Sequence, residues 1–201
     1  MGVVPSQPST LRRPLTTERL LLRAATAGDA ADTWRYRRLA EVGEWITAHP
    51  DDPDEYGAHF ADPDRLAVTV VAELRDPDPD LAGRVVGDFL LRPEDAWAQA
   101  EVVDRARGTQ AELGWVLDPS HAGRGYATEA VRELLRYCFE ELGVRRVVAQ
   151  CFLDNEPSWR LMERVGMRRE AHTVRADLHR SGRWLDSLSY AVLADEWAAA
   201  R

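Results

Sequence analysis

Apolar positions recur at helical spacing most clearly between Ala127 and Leu142. Ala127, Ala130, Val131, Leu134, Leu135, Cys138 and Leu142 share one face, while Glu129, Arg132, Glu133, Arg136 and Glu140 take the other. Gly143 closes this helix, because glycine accepts the left-handed conformation in which many helices end. Before the helix, Ala111 to Leu117 reads as a strand. After it, Arg146 to Phe152 reads as another, nearly all apolar and so expected to be buried. A strand, a turn, a helix and a strand thus follow in order. A further helix has a marked start: Asn155 can cap it, Pro157 suits its first turn, Leu161, Met162 and Val165 form its apolar stripe, and Gly166 stops it.

The upstream half predicts a strand over Arg19 to Ala24 and a helix over Ala27 to Leu39 with Trp34 and Leu39 inward. Ala67 to Leu74 and Arg84 to Leu91 predict a hairpin, joined by the solvated run from Arg75 to Asp80. The segment from Arg92 to Thr109 is longer than a hairpin needs, and Ala96, Trp97, Ala100 and Val103 give it one short helical face.

The turn between Pro119 and Glu129 carries the most chemical information. Gly123 and Gly125 let the backbone approach a ligand closely, and the first N–H groups of the following helix attract an anion at its positive dipole end. A phosphorylated cofactor is the expected ligand. A Gly-x-Gly pair also opens the dinucleotide fingerprint, which would make the chain an oxidoreductase. That fingerprint wants its third glycine where Thr128 stands, and it follows the first strand of its unit, not about a hundred residues of strand and helix.

Composition narrows the classes. The 201 residues suffice for a sizeable core, and 45% hydrophobic with 30% charged residues is ordinary for a soluble protein. All 26 basic residues are arginine, which excludes a lysine-dependent phosphate loop and Schiff-base chemistry. A net charge of −8 argues against nucleic acid and favours a cationic acceptor such as an amine. No apolar run approaches membrane-spanning length, so no membrane role is expected. Residues 1–14, rich in Pro, Ser and Thr, read as a disordered tail ahead of a single domain over 15–201, and the protein as cytoplasmic. Met1 to Ser6 also fits a loose myristoylation pattern, without a second anchor. Cys138 and Cys151 read as small core residues, His121 as an exposed turn residue, and the five histidines show no metal-ligand spacing, so no metal is expected.

Five ordered blocks resemble the GNAT acyltransferase superfamily: the strand from Ala111 to Leu117, the turn from Gly123 to Ala130, the stretch from Asn155 to Met167, and two segments that narrow the likeness. Leu15 to Arg23 and Trp184 to Leu193 are similar to the ribosomal-protein-alanine N-terminal acetyltransferase branch, so the resemblance covers residues 15 to 197.

This resemblance implies an α+β GNAT fold: a mixed, mostly antiparallel sheet of about seven strands, splayed between 111–117 and 146–152 and flanked by helices. It implies acetyl-CoA as cosubstrate and direct attack of a primary amine, of a protein N-terminus or a small molecule, in a ternary complex. The backbone of Gly123, Arg124, Gly125, Tyr126, Ala127 and Thr128 would bind the cofactor diphosphate. Ala122 stands where the family has Gln or Arg, so one side-chain contact is missing. Glu112 matches a carboxylate base, or is a solvated outer-face residue; Asp186 is a second carboxylate candidate, or a structural one. Asn155 and Ser158 match the block that contacts the pantetheine arm and thiol, as well as a helix cap and first-turn serine. Met162 replaces the tyrosine acid of many members, which leaves thiolate protonation to Ser158 or water. Residues 41–66, with Trp45, Ile46, Tyr56 and Phe60, would form the acceptor-side helices, and 92–109 a flap. A non-catalytic acyl-CoA sensor is the alternative that the departures at 122 and 162 leave open. Monomer and homodimer are both compatible with the sequence.

Overall fold

The computed structural model describes residues 9–49, 51–76, 78 and 80–200. Two compact units compose it: residues up to Leu91 together with Trp115–Ala130, and Arg92–Gly114 together with Val131 onward.

The first unit begins with β1 (Leu15–Thr16) and β2 (Leu20–Ala24). Four helices follow, α1 (Ala30–Arg37), α2 (Ala40–Gly43), α3 (Pro53–Phe60) and α4 (Pro63–Val68), and then β3 (Thr69–Leu74) and β4 (Val85–Glu94). The four strands pair antiparallel in sequence order, Leu22 facing Ala72 and Val71 facing Asp88. The predicted hairpin is therefore present, with Ala67 in α4 and not in the strand. Alternate residues of β2 fill the core: Leu20 and Leu22 are fully buried, as are Val70, Val71, Phe89 and Leu91 on the neighbouring strands. Each such side chain contributes about 1.5–3 kcal/mol on removal from water. Helices α3 and α4 start alike: Asp52 and Asp62 each accept two backbone N–H groups of the following turn, and a proline occupies the first helical position.

Two expectations change here. The helix expected over 27–39 opens as a 3-10 turn, Ala27–Asp29, because Asp29 turns back to accept the N–H of Thr26 at 2.7 Å and the Arg23 guanidinium. Its fully buried residues are Thr33 and Tyr36, the latter donating its hydroxyl to Asp88 at 2.8 Å, whereas Trp34 and Leu39 are half-buried. Of the expected tail, residues 1–8, including the myristoylation pattern, lie outside the described residues. The remainder is docked: Thr10 N–H donates to Ala67 C=O at 2.7 Å, and Leu11 is 3% exposed.

In the second unit β5 (Gln110–Leu117) pairs parallel with β6 (Arg146–Phe152). Only the end of β5, from Trp115, belongs to the first unit. Helix α5 (Tyr126–Glu140) starts in the first unit and continues into the second, where Val131, Leu134, Leu135 and Cys138 are fully buried. Then come α6 (Glu156–Arg164), β7 (Arg168–Leu178), β8 (Trp184–Leu193) and α7 (Ala194–Ala199). Strand β8 runs antiparallel to both β6 and β7. The result is a mixed α+β fold with an open, mostly antiparallel sheet of eight strands in the order β1-β2-β3-β4-β5-β6-β8-β7, one more than expected.

The β5–β6 pairing covers Gln110 to Glu112 against Arg146 to Val148, three residue pairs within strands of eight and seven residues. This short ladder is the splay the sequence led us to expect. It also explains why β6 is less buried than its apolar run suggests: Gln150 is exposed, and Cys151 and Phe152 are half-buried.

Candidate active site

The turn of the first unit is built in three steps. Asp118 comes first: its N–H donates to Val86 C=O at 2.9 Å, and its Oδ1 accepts the N–H and the hydroxyl of Ser120 at 2.9 and 2.6 Å. Burial pushes the Asp118 carboxyl up, but the Ser120 hydrogen bonds and the charges of His121 and Arg35 outweigh it and hold it below its ordinary value. A single 3-10 turn, Pro119–His121, follows. His121 is 6% exposed, contrary to the exposed position expected, with Nδ1 2.9 Å from the Ser120 hydroxyl. Its burial, with the nearby charges of Arg84 and Arg124, pushes the imidazole below its ordinary pKa despite the opposing pull of Asp118.

The glycines come second. Gly123 and Gly125 have φ of 75° and 84°, a region L side chains enter only at a cost. A Cβ on Gly123 would meet nothing within 4 Å, so conformation and not space requires the glycine there. Ala122, Gly123, Arg124 and Gly125 are exposed. The first intrahelical bond of α5 runs from Glu129 N–H to Gly125 C=O at 3.0 Å. The N–H groups of Tyr126 and Ala127 precede it and point out of the helix end, where an anion is favoured. The side chains of Tyr126 and Thr128 are buried, and that of Ala127 is half-buried, so these residues offer a ligand mainly their backbone.

The third step is a brace. Glu129 Oε1 accepts from the Thr17 hydroxyl at 2.6 Å and from Arg19 N–H at 2.8 Å, and Oε2 accepts from Arg19 Nε at 2.7 Å. Arg19 Nη1 donates to Arg124 C=O at 2.9 Å, and its guanidinium lies 4.8 Å over the Tyr126 ring. Burial raises the Glu129 carboxyl, yet the Thr17 and Arg19 contacts outweigh it and leave it below its ordinary value. Sequence reading placed Glu129 on the polar helix face and missed this contact, because its partners stand more than a hundred residues away. The run Thr17-Glu18-Arg19 of the first block was the available signal.

The second unit holds the remaining candidates. Glu112, half-buried on β5, is ion-paired through Oε2 with Arg92, whose Nε also donates to Glu94 at 3.1 Å. Gln110 continues this polar chain, accepting from Arg146 at 3.2 Å. Glu112 is thus an ion-paired carboxylate. Asn155 precedes α6 and makes no side-chain cap; its C=O accepts Ser158 N–H at 3.1 Å. Ser158 is half-buried, and it opposes the rise of the neighbouring Cys151 thiol. Burial pushes that thiol up to about 11 and the core thiol of Cys138 up to about 12, so neither presents a ready nucleophile. Met162 is 1% exposed, filling the core.

Asp186 takes the structural role. It accepts Arg175 N–H at 2.9 Å and lies 2.7 Å from His172 Nε2, pinning a bulge of β7 in which Arg175 has φ of 47°. The helical face expected at 96–103 does not form. A 3-10 helix covers Ala100–Arg105, Ala96 N–H bonds to Ala106 C=O at 3.0 Å, and Trp97 is 88% exposed. Among the described residues no cluster of His, Cys, Asp and Glu suits a metal ion, and no helix is long and apolar enough to cross a membrane.

Comparison with known proteins agrees with this architecture. Residues 19–168 match the family model described as an acetyltransferase (GNAT) domain. An uncharacterized N-acetyltransferase, p20 of Bacillus licheniformis, is 32% identical over 193 residues, covering 92% of this chain and 98% of p20. YdaF of Bacillus subtilis strain 168, provisionally named a ribosomal N-acetyltransferase, is 35% identical over 173 residues, with 80% and 86% covered. Another B. subtilis protein, the uncharacterized N-acetyltransferase YnaD, is 37% identical over 109 residues, but the match spans only 54% of this chain and 64% of YnaD. A GNAT acetyltransferase crystal structure from Bacillus anthracis superposes with a TM-score of 0.74 at 27% identity, covering 91% of this chain and 99% of that one.

Proposed function

The chain belongs to the GNAT acetyltransferase family and is by that membership an N-acetyltransferase using acetyl-CoA, and we propose that it acetylates a primary amine, a protein N-terminus or a small-molecule amine, by direct attack. The observation that carries this reading is the turn. Two glycines at positive φ, exposed, open a fifteen-residue helix whose first N–H groups precede its first internal bond. Gly123, Arg124, Gly125, Tyr126, Ala127 and Thr128 would hold the diphosphate through their backbone, with Arg124 adding exposed charge. Bound there, acetyl-CoA supplies an acyl group activated as its thioester.

The chain's own residues have four tasks: to hold both reactants, accept the amine proton, stabilise the oxyanion and return a proton to the leaving sulfur. Glu112 is the proposed proton acceptor. Its Oε2 is engaged by Arg92, which fixes the carboxylate's direction and makes release of that partner part of proton acceptance. Ser158 is the proposed donor to the thiolate. It is half-buried in the first turn of α6, near the Cys151 thiol. Asn155, which spends no side-chain bond on capping α6, is assigned to the pantetheine amides.

The likeness to YdaF supports a protein N-terminus as acceptor. The test is thiol release from acetyl-CoA across a panel of short peptides with free N-termini, their N-blocked counterparts and small aliphatic amines. Turnover confined to free N-terminal peptides is expected. Turnover with small amines alone would move the acceptor to that class, and binding without turnover on any amine would establish the sensor instead.

A further inference from the structure

The N-terminus of α5 carries a contradiction that the proposed cofactor role has to overcome. An acidic residue, Glu129, sits in its first turn, and its carboxyl is held below its ordinary value, so the site offered to a diphosphate includes a fixed negative charge. Like charges within one helical turn oppose each other. Position 122 in the turn is alanine, which offers no cationic or amide side chain.

Arg19 resolves the contradiction. Its Nε and Nη2 each lie 2.7 Å from Glu129 Oε2, which neutralises that charge, while its backbone N–H takes Oε1 at 2.8 Å. A further guanidinium nitrogen, Nη1, holds Arg124 C=O at 2.9 Å, the carbonyl between the two positive-φ glycines. Turning that carbonyl toward Arg19 fixes the peptide plane whose N–H belongs to Gly125. The guanidinium then covers the Tyr126 ring at 4.8 Å, and Nη2 stands 3.4 Å from where a Gly125 Cβ would lie.

We infer that Arg19 is the positioning residue of the anion cradle: from β2's lead-in it cancels Glu129 and sets the Arg124–Gly125 peptide. Thr17, donating to the same Glu129 oxygen at 2.6 Å, completes the brace. The inference rests on acetyl-CoA being the ligand of the turn, and it predicts a specific dependence on the diphosphate.

The test compares wild type, Arg19→Gln, Arg19→Lys and the double variant Arg19→Gln with Glu129→Gln. Each is titrated calorimetrically with CoA and assayed with acetyl-CoA and with S-acetylpantetheine, which has no diphosphate. Arg19→Gln is expected to weaken CoA binding about tenfold, the scale of one charge-assisted hydrogen bond. The ratio of kcat/KM for acetyl-CoA over S-acetylpantetheine should fall by a similar factor. Arg19→Lys should lie between, since it keeps the charge and loses the planar fork. The double variant should recover part of the affinity, because it removes the unopposed carboxylate. Equal losses on both donors would make Arg19 a general fold element and overturn the inference, as would unchanged CoA affinity in Arg19→Gln. Should Arg19→Gln fail to fold, Arg19→Lys decides by the same ratio. Failure of wild type to bind CoA would instead remove the proposed function, and this inference with it.

Discussion

The turn of the first unit and the strand and helix ends of the second solve opposite problems. The turn is over-determined: Asp118, Ser120, Thr17, Arg19 and Glu129 all hold backbone or each other through hydrogen bonds of 2.6 to 2.9 Å, and what they leave open is a row of backbone donors. The groups of the second unit are held lightly. Glu112 has one arginine, Asn155 no side-chain capping bond, and Ser158 a thiol. A rigid cradle suits a ligand whose charge is constant. Loosely held acid and base groups suit a reaction in which protons change hands.

Variants should therefore separate into two classes, one losing chemistry and the other losing affinity. Glu112→Gln is expected to have the largest effect, a fall in kcat of about a hundredfold, the range of general-base catalysis, with acetyl-CoA affinity unchanged by calorimetry. A fall in affinity of the same size would break the contrast. Gly125→Val forces a branched residue to φ near 84° and toward Arg19. Its strain should cost about thirtyfold in acetyl-CoA affinity, leaving kcat at saturation nearly intact. Ser158→Ala should lower kcat about tenfold at constant affinity; an unchanged rate would remove Ser158 from the mechanism.

The smallest effect concerns pH. Asp29, Asp118 and Glu129 in the first unit have carboxyls held below their ordinary values, as does Glu170 in the second, where Arg146 holds it down to about 2. A lowered carboxyl binds its proton less readily folded than unfolded, so its stabilisation is present above the ordinary carboxylate value and is lost as pH falls through the lowered one. The melting temperature should hold from neutral pH down to the ordinary carboxylate values of 3.8 and 4.5, then drop toward about 2. In Arg19→Gln the melting temperature at neutral pH should be lower and the acid drop smaller, since Glu129 loses its charged partner and with it part of the stabilisation that acid removes. A melting profile independent of Arg19 would contradict the brace.

Much of this was legible in the sequence where a signal is local. The apolar stripe of α5, the glycines of the turn and the proline opening α6 depend on neighbours within a few residues, and each stands where periodicity and turn chemistry put it. The departures come from partners distant in the chain. Nothing next to His121 announces that it is buried. The ion pair of Arg92 with Glu112 spans twenty residues, and that of Arg19 with Glu129 spans 110. Trp97 was read as part of a helical face because its neighbours are spaced for one, yet without a packing partner that spacing yields a 3-10 helix from Ala100 and an exposed ring. Asp186 resembled a catalytic carboxylate, and the β7 bulge, invisible in the pattern of residues, claims both of its oxygens.

The central claim is that the turn at 123–128 is an acetyl-CoA cradle, and a calorimetric titration of the wild-type protein with acetyl-CoA, with NAD as the control ligand, tests it most directly. Micromolar binding of acetyl-CoA with no heat from NAD is the result predicted here; binding of NAD, or of neither ligand, would contradict it.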